Sequence, residues 1–98
     1  MLDKMKQIFQ LQAKIKQIKQ ELAALTVESQ TNDGKIKVMM TGEQEIKDIQ
    51  IDDSLIVTPD KKQFQKDLIN CLNSAVKQSQ KMAAEKAKSI AGFDLPGL

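Results

Sequence analysis

The sequence predicts an α+β fold in which a long helix, a three-stranded antiparallel meander and a second long helix follow one another along 98 residues. Apolar residues recur at helical spacing between Ile8 and Leu25, which indicates an amphipathic helix. Alternating β-branched and polar residues follow, interrupted by two turn signals. Helical spacing then returns from Phe64 onward. A chain of this length builds one small domain with a limited core, so a partner chain is expected.

The N-terminal helix is expected over residues 2–25, with Asp3 in its first turn, where a negative charge suits the helix dipole. Its main apolar positions alternate at steps of three and four, as in a heptad repeat: Ile8, Leu11, Ile15, Ile18, Leu22 and Leu25. The seam is widened by Leu2, Met5 and Phe9. A stripe of this width is typical of a helix that is buried in a fold.

A parallel homodimer along this seam is disfavoured by its flanking charges. With Ile8 at an a position, Lys14 falls at g and Lys19 at e, so lysines of the two chains would face each other. Like charges at such positions are destabilising. The seam is therefore expected to pack on the C-terminal helix and the sheet, leaving its lysines outside.

The middle of the chain, residues 26–51, is expected to form the sheet. Its predicted strands are 26–31, 35–41 and 45–51. The turns between them are predicted at Asn32-Asp33-Gly34 and Gly42-Glu43-Gln44. One face of the sheet should pack on the helices and the other should meet solvent or a second subunit.

The third strand contains an irregularity at Ile46. Ile49 and Ile51 alternate onto one face, whereas Ile46 falls on the other. A bulge near Lys47-Asp48 would explain this pattern. Alternatively, Ile46 and Met39 form a second apolar patch.

The C-terminal helix is expected over residues 59–91, with Thr58 as N-cap, Pro59 at the first helical position and Gly92 after the end. Residues 92–98 lack helical spacing and are expected to form a flexible tail. The predicted apolar stripe comprises Phe64, Leu68, Cys71, Leu72, Ala75, Met82 and Ile90. Beyond Ala75 smaller residues thin this stripe, so that half is expected to leave the core and project. Lys86 is an exception that falls within the stripe.

The residue types exclude most catalytic chemistry. Without histidine there is no His-based triad or His metal site, and one cysteine without histidine provides no structural zinc site. Cys71 on the apolar face is expected to be a small buried hydrophobe rather than a nucleophile. Asp52 and Asp53 are expected to end a strand in a turn rather than to bind metal. We therefore expect no enzyme activity, no cofactor and no small-molecule substrate.

The apolar content predicts a cytoplasmic protein. No apolar run approaches the roughly 20 residues of a spanning helix, and the N-terminal residues show no apolar core of a signal peptide. A single cysteine excludes an internal disulfide and fits a reducing compartment.

Charge is segregated along the chain. Residues 2–25 carry five lysines against two acids, residues 26–58 three lysines against seven acids, and residues 59–91 seven lysines against three acids. Solvated helices often carry lysine, so exposure to solvent alone is one interpretation. All fifteen basic residues are lysines, and arginine, the commonest guanine reader, is absent. If the chain binds nucleic acid, we expect duplex DNA held mainly by its phosphates, with weak sequence preference.

The order of these motifs resembles the YbaB/EbfC family of nucleoid-associated proteins. The resemblance rests on MKQIFQLQAKIKQIKQELAALTVES (Met5 to Ser29), DGKIKVMMTGEQEIKDIQID (Asp33 to Asp52), the link IQIDDSLI, the helix DLINCLNSAVKQSQK and the ending DLPGL. It covers nearly the whole chain and implies a single YbaB/EbfC-like domain over residues 1–98. It further implies an α-β-β-β-α monomer, an intertwined homodimer with projecting helical arms, and DNA binding at the bacterial nucleoid. The family's DNA contacts are attributed to both terminal helices.

The sequence thus favours a homodimeric protein that coats or bends duplex DNA and influences nucleoid organisation or gene expression. The candidate phosphate contacts are Lys6, Lys14, Lys16, Lys19, Lys77, Lys81 and Lys88. A second hypothesis is a chaperone-like clamp for protein clients, with an adaptable surface at Met39, Met40 and Met82. A third is a membrane-surface protein, which is disfavoured because the apolar faces are needed for the core.

Overall fold

A computed structural model describes residues 2–57 and 60–88. The elements are α1 (Leu2–Ala24), β1 (Thr26–Gln30), β2 (Ile36–Thr41), β3 (Ile46–Ile51), α2 (Ser54–Val57) and α3 (Lys61–Lys88). The predicted order of helix, three antiparallel strands and helix is confirmed, and the strands form a meander in the order β1-β2-β3. The short helix α2 was not predicted. The features predicted at Thr58, Pro59, Ile90 and Gly92, and the tail 92–98, lie outside the described residues.

A bulge in β3 places its isoleucines on one face. Met40 pairs with Ile46 across a register shift, and Lys47 is the extra residue. Ile46 therefore lies on the same face as Ile49 and Ile51. Of the two alternatives for this strand, the bulge is the one that the structure confirms.

The core forms where α3 crosses the inner face of β1 and β2. Ile36, Val38 and Met40 are buried against Cys71 and Ala75. The short side chains of these last two residues let the helix approach the strands closely. Burial of Met40 contradicts its prediction as part of an adaptable surface, because alternation along β2 points it into the core.

The inner face of β3 is left uncovered by α3. The helix packs on β1 and β2, and the third strand keeps Ile46, Ile49 and Ile51 exposed at 53%, 38% and 37%. These three residues continue the apolar face of the core beyond the edge of the helix. We call them the isoleucine row.

The end of α1 docks on the turn between β2 and β3 through Gly42. The Gly42 amide donates hydrogen bonds of 2.9 Å to the Leu22 carbonyl and 3.1 Å to the Leu25 carbonyl. A Cβ at this position would lie 2.8 Å from the Leu22 side chain. Glycine is therefore required for close approach, whereas the positive φ of 63° in this turn belongs to Gln44.

The seam of α1 is covered mainly at its C-terminal end. Leu22 is buried, Leu11 and Ile18 are half-buried, and Ile8 and Ile15 are exposed. The expectation that the seam packs on α3 and the sheet is therefore confirmed for part of the seam, whereas Ile8 and Ile15 are left uncovered. The molecule spans 66 × 22 × 16 Å, so the N-terminal part of α1 extends away from the sheet.

Contact between the two long helices explains why Lys86 lies within the apolar stripe of α3. The Lys86 ammonium lies 3.6 Å from a Glu21 carboxylate oxygen. The C-terminal half of α3 leaves the sheet only after Ser79, which is fully buried. The predicted departure after Ala75 is thus one helical turn early, and the last turns of α3 run beside α1.

Candidate nucleic-acid interface

The outer face of α3 carries a row of exposed lysines. Lys77, Lys81 and Lys88 all lie opposite the buried positions of this helix. At 3.6 residues per turn, their Cα positions fall within about 40° of one another around the axis. The structure therefore brings together the three α3 lysines that were predicted as phosphate contacts.

Lys66 extends this row and was missed by the sequence analysis. It is exposed and lies eleven residues before Lys77, which lies eleven residues before Lys88. Eleven residues make just over three full turns, so the three lysines stay on one face at intervals of about 16 Å. This eleven-residue spacing is the sequence signal that could have identified Lys66. We call Lys66, Lys77, Lys81 and Lys88 the lysine face.

The lysine face is free of acidic residues. The acids of the described helix, Asp67 and Glu85, lie to one side of it by helical projection. Asp67 accepts a hydrogen bond of 2.8 Å from the Gln63 amide, which fixes its carboxylate. A row of lysines without intervening acids creates a positive potential along about 33 Å of helix.

The four candidate lysines of α1 do not share one face. Lys6, Lys14, Lys16 and Lys19 are all exposed, but helical projection spreads them over more than half the circumference of the helix. Lys16 and Lys19 are neighbours on one side. One flat surface cannot contact all four lysines of a single chain at once.

Three acids, Asp33, Asp52 and Asp53, lie at the end of the sheet farthest from the Gly42 junction. Hydrogen bonds from the Thr31 side chain and the Lys35 amide lower the pKa of Asp33 below its ordinary value. Hydrogen bonds from the Ser54 side chain and amide likewise lower the pKa of Asp52. Asp52 therefore caps α2 as part of the predicted turn, and its carboxylate stays ionised near neutral pH.

The remaining polar groups form no catalytic arrangement in the part of the chain that the structure describes. The Cys71 thiol is buried and donates to the Ser29 carbonyl at 3.3 Å, as expected of a structural cysteine. Among the described residues, no three His, Cys, Asp or Glu side chains come close enough to hold a metal ion. None of the described helices is long and apolar enough to span a bilayer.

Comparison with known proteins finds relatives that are described as DNA-binding or nucleoid-associated. Residues 1–93 match the model of the YbaB/EbfC DNA-binding family. A nucleoid-associated protein of Syntrophobacter fumaroxidans is 33% identical over 95 residues, which cover 96% of this chain and 86% of that protein. A nucleoid-associated protein of Desulforamulus reducens is 37% identical over 95 residues, covering 96% and 90%.

A solved structure shares the fold. The crystal structure of an uncharacterized protein from Helicobacter pylori superposes with a TM-score of 0.70 at 30% sequence identity. The match covers 93% of this chain and 89% of the Helicobacter chain. The order of helices and strands described above is therefore that of an experimentally determined relative.

Proposed function

The chain belongs to the YbaB/EbfC DNA-binding family, and from this we propose that it binds duplex DNA at the nucleoid as a homodimer. Lysine–phosphate contacts supply most of the affinity, and sequence preference is low. The role is one of binding rather than catalysis, in keeping with a DNA-binding family. By coating or bending DNA, the dimer influences nucleoid organisation or gene expression.

The lysine face of α3 is the observation that carries this proposal. Its four ammonium groups are exposed and no acid lies between them. Lysine is a mobile point charge that suits phosphate oxygens, which carry no base information. Neutralising phosphates releases counterions, so such a surface binds many sequences with similar affinity.

The isoleucine row supports the homodimer. Two further apolar side chains, Ile56 at 68% and Val57 at 77%, are exposed on α2, the element that follows β3 along the chain. Apolar side chains grouped at the edge of a core are typical of a surface that another chain covers. A second copy that buried its own row against this one would complete both cores and double the number of lysine faces.

Exposed apolar residues on α1 favour a second candidate function. Leu2, Met5, Ile8 and Phe9 are exposed in the N-terminal half of this helix. A helix presenting such residues resembles the surface of a clamp that holds protein clients. In this alternative the protein binds other proteins and has no physiological DNA binding.

A salt titration tests the DNA-binding proposal. Gel shifts of the full chain with duplexes of unrelated sequence should show similar affinities that fall with salt. The log–log slope should correspond to about −0.9 for each phosphate contact. A variant with Lys77→Gln and Lys81→Gln should have a slope shallower by about 1.8 for each lysine face of the dimer that contacts the duplex. Failure of the wild-type protein to bind any duplex at low salt would overturn the proposal.

A further inference from the structure

Two asparagines lie in the middle of the lysine face. Asn70 and Asn73 stand between Lys66 and Lys77, at steps of four, three and four residues. This spacing keeps all four side chains on one side of the helix, and all four are exposed. The order along the face is thus one cation, two carboxamides and a second cation.

Neither asparagine contributes to the internal hydrogen bonding of the described chain. No side-chain hydrogen bond of Asn70 or Asn73 occurs among residues 2–57 and 60–88. Asparagine is a poor helix former, because its amide competes with the backbone for hydrogen bonds. Here the low helix propensity of the two asparagines is not offset by any internal side-chain hydrogen bond, and their donors and acceptors point outward.

The amide surface continues beside the helix. Gln30 and Asn32 line a polar depression of about 210 Å³ together with Asn70. Asp67 also lines this depression, and its carboxylate repels phosphate. The edges of bases carry exocyclic amino groups, which can donate hydrogen bonds both to amide oxygens and to a carboxylate. A lining of amides beside a carboxylate therefore suits the donors and acceptors of base edges.

We propose that Asn70 and Asn73 contact base edges when α3 lies in the major groove, and that they give the protein a preference for sites containing A·T pairs. The inference rests on the proposed DNA binding and assigns the residual sequence preference to two residues. An α-helix fits the major groove, and a carboxamide forms paired hydrogen bonds with N6 and N7 of adenine. Lys66 and Lys77 hold the phosphates on either side.

The test separates preference from affinity. The wild-type protein selects duplexes from a randomised pool, and the enriched sequence is compared with a G·C-rich duplex of equal length. Wild type should bind the enriched A·T-containing site at least about fivefold more tightly, as one good carboxamide–adenine pair provides. The variant Asn70→Ala/Asn73→Ala should lose this preference, while its affinity for the G·C-rich duplex changes less than about twofold.

Two further variants serve as controls. Gln65→Ala removes an exposed amide from another side of α3 and should keep the preference. Lys66→Gln/Lys77→Gln should weaken binding to both duplexes equally and make the salt slope shallower by about 1.8 for each lysine face that contacts the duplex. Alanine favours helix, so the asparagine variant should fold at least as well as wild type. Circular dichroism checks this.

The outcomes are distinct. An unchanged preference in Asn70→Ala/Asn73→Ala, or no preference in a wild-type protein that binds DNA, would overturn this inference and leave the proposed function intact. Absence of binding to every duplex would overturn both. Loss of preference with retained affinity would support the inference.

Discussion

The Ser79 hydroxyl donates a hydrogen bond of 2.8 Å to the Thr41 carbonyl oxygen, and Ser79 is fully buried. The bond joins α3 to the last residue of β2, one residue before the Gly42 junction with α1. The same carbonyl also accepts from the Gln44 amide at 3.0 Å. α3, β2 and the turn after β2 therefore meet at one oxygen, and this contact fixes where α3 leaves the sheet.

Replacing Ser79 with alanine should destabilise the fold without changing its shape. The Thr41 carbonyl retains one partner, so the expected loss is about 1 kcal/mol, the net value of a typical buried hydrogen bond. Thermal unfolding should occur roughly 4–8 °C lower. Ser74→Ala, at an exposed position of the same helix, should change stability by less than about 0.5 kcal/mol. Equal losses in both variants would contradict this role of Ser79.

Replacing Gly42 with alanine should loosen the junction between α1 and the sheet. The added Cβ would lie 2.9 Å from the Leu22 carbonyl oxygen, and backbone cannot move aside cheaply. We expect a loss of about 1–3 kcal/mol, typical of overpacking. Urea denaturation of Gly42→Ala and of the exposed-site control Glu43→Ala measures this difference. Similar midpoints would show that the junction accommodates a methyl group.

Charge placed on the isoleucine row should separate the proposed dimer. In wild type, light scattering should give twice the chain mass of 11.0 kDa, and in Ile49→Glu it should give the mass of one chain. Gln50→Glu puts the same charge on the opposite face of β3 and should leave the dimer intact. If Ile49→Glu stays folded and dimeric, another surface joins the two copies.

Charge reversal on the lysine face should distinguish DNA binding from protein binding. Lys77→Glu/Lys81→Glu should weaken duplex binding by more than about tenfold at low salt, because phosphate attraction becomes repulsion. Lys35→Glu/Lys47→Glu makes the same change in net charge at one position just before β2 and one within β3 and should weaken duplex binding much less. If neither wild type nor the α3 variant bound duplex DNA, and both bound a protein client equally, the clamp hypothesis would be favoured.

The Asp33 turn should lose its stabilising effect in acid. Hydrogen bonds from Thr31 and Lys35 lower the folded-state pKa of Asp33 below 3.8, so its contribution is complete above that pH. The contribution disappears as pH falls below 3.8 through the folded-state pKa. Urea midpoints of wild type and Asp33→Asn should therefore differ at neutral pH and converge in acid. A parallel pair of pH curves would contradict this explanation. Asp53→Asn, at an exposed position without such bonds, provides the matched control.

Local patterns predicted the helices and strands because each depends on neighbours in sequence. The observed strands begin and end within one residue of the predicted bounds. The isoleucine spacing in β3 left a bulge near Lys47-Asp48 as one of two interpretations, and the strand register has the bulge at Lys47. Contacts between distant residues were less predictable. Gly42 was interpreted as a turn residue, and only the approach of Leu22 shows why a side chain does not fit there.

The candidate interface was predictable only where it depends on residues that are close in sequence. Lysines of α3 align because helical spacing alone places them. The environment of Lys86 depends on Glu21, sixty-five residues away, and no local pattern reports it. The α1 lysines were predicted as one group because this segment is rich in lysine. Their angular positions around the helix axis place them on different sides.

The bulge at Lys47 also bears on how far self-association extends. A regular edge strand offers a continuous ladder of amides and carbonyls to any incoming strand, which allows unlimited growth of a sheet. An unpaired residue that carries a lysine interrupts this ladder in β3 and disfavours fibre-like stacking of further chains. Two chains can then associate through the inner face of β3, while the edge of β3 does not pair with strands of further chains.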